Sequence, residues 1–139
     1  MTRLNVADCQ IVSLPKIQDP RGNLTFVEGG AGRLGIIARV FWLYDVPGGE
    51  SRAGHANRHT EQLIVAASGS FDVVVNDGRG MERRHSLTRS YTGLYVPGMI
   101  WRDIDNFSSG SVCLVLCSEP YDPDDYIRDW GEFVTAVNA

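Results

Sequence analysis

Apolar residues along the chain fall into short runs separated by glycine, proline and polar clusters. The runs LTFVE (24–28), RVFWLYDV (39–46), QLIVAAS (62–68), SFDVVVND (70–77), TGLYVPGMIW (92–101) and SVCLVLCS (111–118) are strand-length and rich in Val, Ile, Leu and aromatic residues. Fifteen glycines and six prolines punctuate them, as expected of many brief strands joined by turns. Asn76-Asp77-Gly78 carries turn chemistry that tolerates positive φ, so a return strand is expected near residues 82–88. The tail differs. Asp122, Pro123, Asp124 and Asp125 precede YIRDWGEFVTAV, which sets capping carboxylates ahead of a near-helical periodicity and predicts a short C-terminal helix. The pattern is that of an all-β sandwich or barrel closed by one helix, with no internal repeat or linker.

Composition narrows the reading. A length of 139 residues suits one domain, and 43% hydrophobic against 22% charged residues excludes a disordered chain. The net charge of −4 gives no footprint for duplex nucleic acid. Lys16 is the one lysine among 13 basic residues. The arginine excess reflects either a GC-rich coding sequence or a local anion site built from planar bidentate donors. Cys9, Cys113 and Cys117 are too few and too unevenly spaced for a disulfide framework or a metal clip, and are expected to be reduced core thiols. MTRLNVADCQ lacks the apolar region of a signal peptide, and no run is long enough to span a bilayer, so a cytoplasmic protein without a membrane partner is expected.

Candidate chemistry concentrates in ESRAGHANRHTEQ. On an extended strand His55, Asn57, His59 and Glu61 would share one face and Arg58 the other, forming either a pocket wall or a solvated strand edge. The stretch resembles the first metal motif of the cupin superfamily. Gly49 is followed after five residues by His55, then by Asn57 where a second His would stand, by Glu61, and by Gly69 one residue late. The second cupin motif is echoed by Pro97, Met99 in place of Gly, Arg102 in place of His, and Asn106. With only His55 and Glu61 left as ligands and a fixed cation at Arg102, no metal and no other cofactor is expected. An imidazole, an amide, a carboxylate and guanidinium groups suit proton transfer beside an anionic or oxygen-rich ligand.

A closer resemblance covers nearly the whole chain. DPRGNLTFVE, RVFWLYDVP, SRAGHANRHTEQLIV, SGSFDVVVNDG, GLYVPGMIW, NFSSGSVCLVL and YDPDDYIRDWGEF are similar, in order and spacing, to the sugar nucleotide 3,4-ketoisomerases. These are the FdtA, QdtA and WxcM-like group of metal-free cupins. The resemblance implies one cupin jelly-roll barrel over residues 1–139 with a short C-terminal helix. It further implies a homodimer with exchanged N-terminal strands, and conversion of dTDP-4-keto-6-deoxyglucose to its 3-keto isomer through an enediolate. That reaction leads to deoxyamino sugars of surface polysaccharides such as lipopolysaccharide O-antigen.

The family writes Arg-Gly-x-His-Ala-His-Lys where this chain reads Arg52-Ala53-Gly54-His55-Ala56-Asn57-Arg58. The resemblance therefore implies catalysis by His55, with Asn57 in the second histidine's place and Tyr44 or Glu61 assisting. Arg21, Arg39 and Arg52 match family arginines and are implied to hold the diphosphate or sugar hydroxyls, the plain alternative being surface ion pairs. Tyr44 alternates with Trp42 and is implied to reach the sugar as an acid. Trp101 and Arg102 follow the PGMI turn where cupins approach their ligand, and Asn23 and Arg102 are implied to choose the face of C4 that is protonated. His59 and His85 are expected at the surface. The rival to the enzyme is a non-catalytic cupin that binds a nucleotide sugar, or a ligand-trapping variant at Asn57.

Overall fold

A computed structural model describes residues 4–30 and 34–139. Twelve strands are described. They are β1 (Gln10–Ser13), β2 (Lys16–Asp19), β3 (Gly22–Thr25), β4 (Arg39–Tyr44), β5 (Arg52–Asn57) and β6 (Gln62–Ser68), then β7 (Phe71–Asn76), β8 (Glu82–Leu87), β9 (Thr92–Val96), β10 (Trp101–Asp105), β11 (Val112–Cys117) and β12 (Tyr126–Ile127). One helix, α1 (Trp130–Val137), completes the chain. Two five-stranded sheets, in the orders β1-β9-β6-β11-β4 and β12-β5-β10-β7-β8, face each other, and β2-β3 forms a separate hairpin. Every strand pairing is antiparallel. This is the all-β, jelly-roll arrangement with a short C-terminal helix that the pattern and the resemblance predict.

Three apolar layers explain which runs the sequence shows. The main core lies between the sheets, where Ile64, Phe71, Val73, Val75, Leu94, Ile104 and Val115 are buried. A second forms on the outer face of the first sheet, where Leu63, Val65 and Leu116 meet Leu34 and the partly buried Leu14 and Val27. Because β6 is covered on both faces, Gln62–Ala66 is continuously buried and reads as an unbroken apolar run rather than an alternation. The third layer sits on the outer face of the second sheet, where Ala56, Trp101 and Ile127 pack under Phe133 and Val137 of α1.

Several boundaries differ from the sequence expectation, each for a local reason. The 92–101 run is two strands, because Pro97–Ile100 turns the chain between β9 and β10. The aspartates at 122–125 do not cap α1: Asp122 caps a short 3-10 turn, Tyr126–Ile127 pairs with β5, and α1 begins only after its own N-cap, Asp129. Strand β8 returns at Glu82 as predicted, after a loop in which Asp77 Oδ1 accepts from the backbone of Arg79 and Met81. Polar β1, β2, β5 and β10 carried no hydrophobic run to announce them. The three cysteines are buried and unpaired. Among the described residues no helix is long and apolar enough to cross a membrane.

A bulge and a tight turn shape the two ends of β5. His55 pairs with Arg102 and Ala53 with Asp103, so Gly54 is an extra, unpaired residue. Ala53 and Gly54 both take left-handed φ, of 72° and 68°, and this bulge aims His55 inward. The Pro97–Ile100 turn abuts the far end of β5, where Met99 N donates to the Asn57 carbonyl at 2.7 Å. A Cβ on Gly98 would stand 2.8 Å from the Arg58 carbonyl oxygen, backbone against backbone. Gly98→Ala is therefore expected to cost about 2 kcal/mol and to lower Tm by roughly 5 °C, as checked by thermal melts; an unchanged Tm would refute the contact.

Candidate active site

Between the sheets, at one end of the barrel, opens a cavity of about 480 Å³. Strand alternation decides what faces it. From β4 come Arg39, Phe41 and Leu43; from β5, Arg52, Ala53 and His55; from β10, Arg102 and Ile104; and Gln62 closes the inner end. The segment after β11 supplies the remaining wall, with Tyr121, Tyr126 and Arg128. Four arginines and one histidine thus converge in a chain of negative net charge.

His55 is buried, 8% exposed, and neither ring nitrogen makes a hydrogen bond of good geometry among the described residues. Its ring lies against Tyr126, with centroids 4.9 Å apart and planes tilted by 56°. Burial, reinforced by the Arg102 charge and more weakly by Arg128, pushes its pKa down to about 4. The imidazole is therefore neutral at pH 7 and free to accept a proton. Arg102 is fully buried; Nη1 donates to Gln62 Oε1 at 2.7 Å and Nη2 to the Ile100 carbonyl at 2.8 Å. Burial lowers its pKa to about 10, so the guanidinium stays charged at neutral pH. Arg39 Nη1 donates to the Tyr126 hydroxyl at 2.9 Å, and Arg128 stacks over the Tyr126 ring at 4.5 Å.

Asn57 sits beyond His55 on the same strand face, but it is 1% exposed and does not line the cavity. Its Nδ2 donates to Asp125 Oδ2 at 3.2 Å. A carboxylate only accepts, so the amide must turn its NH2 that way, leaving Oδ1 buried without a partner. Asp125 also accepts from Thr60 Oγ1 at 2.5 Å and from the His59 backbone at 2.7 Å. Burial works against its charge, but these donors outweigh it and hold the carboxyl below its ordinary range. Asp125 so bolts the 121–128 segment onto the end of β5.

The structure brings His55, Arg39, Arg52 and Arg102 together, as the sequence predicts, and separates the other candidates within the chain. Tyr44 is 61% exposed: β4 alternation turns it outward with Val40 and Trp42, into a cleft of about 440 Å³ that shares only its edge with the cavity. Glu61 does not share a face with His55, because β5 ends at Asn57 and the chain turns; its carboxylate accepts from Tyr95 on the outside of the barrel. Trp101, one residue out of phase with Arg102, packs under α1, edge-on to Trp130 at 5.3 Å. Arg21 and Asn23 lie on the β2–β3 hairpin, Arg21 exposed and paired with Asp19, Asn23 lining an outer groove with Lys16 and Phe26. His59 is exposed and His85 half-buried, as expected of residues outside the site.

Sequence reasoning missed Gln62, Tyr121, Tyr126 and Arg128. Gln62 was hidden in an apolar run, and Tyr126 and Arg128 in a stretch read as helix approach. Their alternation across Ile127 was the available signal, since it is the period of a strand. Among the described residues no three His, Cys, Asp or Glu side chains cluster as a metal would require.

Known proteins are similar to this chain in sequence and fold. Residues 7–138 match the family model FdtA, described as WxcM-like, C-terminal. The chain is 36% identical over 124 residues to the TDP-4-oxo-6-deoxy-alpha-D-glucose-3,4-oxoisomerase of Aneurinibacillus thermoaerophilus, covering 89% of this chain and 88% of the relative. A 3,4-ketoisomerase from Helicobacter canadensis superposes with a TM-score of 0.89 at 34% identity, over 95% of this chain and 98% of that one. A histidine-to-asparagine mutant of the 3,4-ketoisomerase QdtA from Thermoanaerobacterium thermosaccharolyticum, in complex with TDP-4-keto-6-deoxyglucose, does so at 0.88 and 28% identity, over 94% of each chain.

The depressed pKa of His55 has a measurable sign. Between its folded value near 4 and its unfolded value near 6.5, the unfolded chain binds the extra proton, so stability present above pH 6.5 is lost as pH falls towards 4. The loss is on the order of 3 kcal/mol. In His55→Asn that component is absent, so denaturant unfolding at pH 7 and pH 4 should show the variant losing less stability than wild type. Equal losses would contradict a buried neutral imidazole.

Proposed function

The chain belongs to the FdtA family of WxcM-like, C-terminal domains, and from that premise we propose that its cavity isomerises a TDP-linked 4-keto-6-deoxyhexose to the 3-keto form. The observation that carries this reading is a neutral imidazole, His55, facing a water-accessible chamber walled by Arg39, Arg52, Arg102 and Arg128. The reaction removes the acidic proton on C3, beside the ketone, leaving an enediolate whose negative charge sits on O4, the former carbonyl oxygen. His55 is the base. Arg102 is a fixed positive charge that needs no reorganisation to face that enediolate. Burial is the main cause of the low His55 pKa, and the Arg102 and Arg128 charges add to it; an anionic diphosphate sugar offsets those charges and so favours the imidazolium that forms during the reaction. His55, then an imidazolium, returns the proton to C4.

Arg39, Arg52 and Arg128 suit the diphosphate as bidentate donors at the cavity wall and mouth. Asn57 acts here as a positioning residue, tying the end of β5 to Asp125. A nucleotide-linked sugar substrate supports a cytoplasmic reaction, and the family resemblance supports a route to deoxyamino sugars of a surface polysaccharide.

Arg21 and Asn23 are best accounted for by a second copy of the chain. Ile17, Leu24, Trp42 and Val40 are all 45% exposed or more, which supports an apolar face covered by a partner. A homodimer in which β1 gives up its pairing with β9 of its own chain for the same pairing in a second copy would cover it and carry the hairpin tip towards the other cavity. Light scattering of the wild type should give a dimer, and Trp42→Glu should shift it towards monomer; a monomeric wild type would refute the assembly.

Turnover tests the chemistry. NMR of TDP-4-keto-6-deoxyglucose incubated with the protein should show the 3-keto product, and His55→Asn should lower the rate by roughly 10²–10⁴-fold. Absence of turnover by wild type on this substrate would overturn the reading.

A further inference from the structure

Turning a 4-ketone into a 3-ketone moves two protons. One leaves C3 while another arrives at C4, and the hydroxyl proton leaves O3 while O4, the former carbonyl oxygen, gains one. His55 answers for the carbons. Asn57 cannot answer for the oxygens, because an amide neither gains nor loses a proton at neutral pH and its NH2 is engaged by Asp125.

Tyr126 stands where the second transfer needs a group. It lines the same cavity, with its ring against that of His55 at 4.9 Å. Its hydroxyl accepts a hydrogen bond from Arg39 Nη1 at 2.9 Å, which occupies one lone pair and leaves the O–H proton to be given elsewhere. Two guanidinium groups stand against it, Arg39 at the oxygen and Arg128 over the ring at 4.5 Å. Arg39 is itself braced over the Phe41 ring at 4.6 Å and the Tyr121 ring at 5.0 Å, so the donor is held in place.

We propose that Tyr126, oriented by Arg39, is the second proton-carrying group of the site and moves a proton from O3 to O4 while His55 moves one from C3 to C4. The proposal rests on the ketoisomerase reading. In the first half, His55 takes the C3 proton; the C–H pair becomes the C3=C4 bond and the carbonyl π pair moves onto O4. Tyr126 protonates O4, giving a neutral enediol and a phenolate beside Arg39. In the second half, the phenolate removes the O3 proton, the O–H pair becomes the C3=O bond, and the C3=C4 pair takes the proton from His55 at C4. Both side chains end as they began, and no oxidant or reductant is consumed.

The two transfers are separable in D2O with TDP-4-keto-6-deoxyglucose as substrate. NMR reads deuterium entering C3 of recovered substrate, which reports His55, and formation of 3-keto product, which needs both groups. For Tyr126→Phe, conversion should fall by roughly 100-fold or more while C3 exchange falls by less than about tenfold. Conversion within about threefold of wild type, or equal losses of exchange and conversion, would overturn the role. Should Tyr126→Phe fail to fold, Arg39→Gln keeps the phenol and removes its donor; it too should raise the ratio of exchange to conversion, and an unchanged ratio overturns the proposal. A wild type showing neither exchange nor conversion instead sinks the ketoisomerase reading, and this proposal with it.

Discussion

A fully buried guanidinium governs the interior of this barrel. Arg102 has no carboxylate in ion-pair contact with it among the described residues; its donors go to the side-chain oxygen of Gln62 and to the Ile100 carbonyl, and Nε has no partner. A charge taken out of water without a counter-ion in contact is expensive, and the fold bears that cost through two neutral dipoles and the longer-range pull of the Asp125 carboxylate. The arrangement makes the cavity a place where an anion is stabilised and a second cation is not. His55 next door is kept neutral first by its own burial and then by the field of this charge.

That field also explains how an asparagine at position 57 suits the architecture. Two groups tie β5 to the C-terminal segment: the β12 pairing through Ala56 and Asn57, and Asp125, which collects hydrogen bonds from Asn57, Thr60 and His59. Asn57 belongs to this tie. It keeps the strand end rigid without adding another titratable group to a region already crowded with positive charge.

The fold was largely legible because burial follows periodicity. Core strands β6, β7 and β11 announce themselves as apolar runs, and the turn at Asp77-Gly78 announces the return of β8. The site was legible only in part, and the failures share a cause. Tyr44 and Trp101 each sit one residue out of phase with a true lining residue, Leu43 and Arg102. A single-residue change of phase reverses a strand side chain, and the bulge at Gly54 shows how locally that phase is set. Glu61 was lost to a strand end that spacing does not mark. Tyr126 and Arg128 were missed because a strand of two residues carries almost no pattern. Arg21 and Asn23 depend on contacts outside one chain, which no intrachain periodicity encodes.

The short strand β12 has a consequence for how the protein is made. The hydrogen bond between Arg39 and Tyr126 joins residues 87 positions apart, and the tie from Asn57 to Asp125 spans 68. Contacts of such separation form late, after most chain entropy has been surrendered, and slow the folding of antiparallel barrels. Until the 121–128 segment has emerged from the ribosome and docked, the outer edge of β5 is an unpaired row of amides and carbonyls beside an open, arginine-lined barrel. The wall of the cavity is therefore also the closing seam of the fold: a nascent chain that stalls before Tyr126 exposes a sticky strand edge, and one that passes it gains a closed cavity and protection from aggregation in the same step.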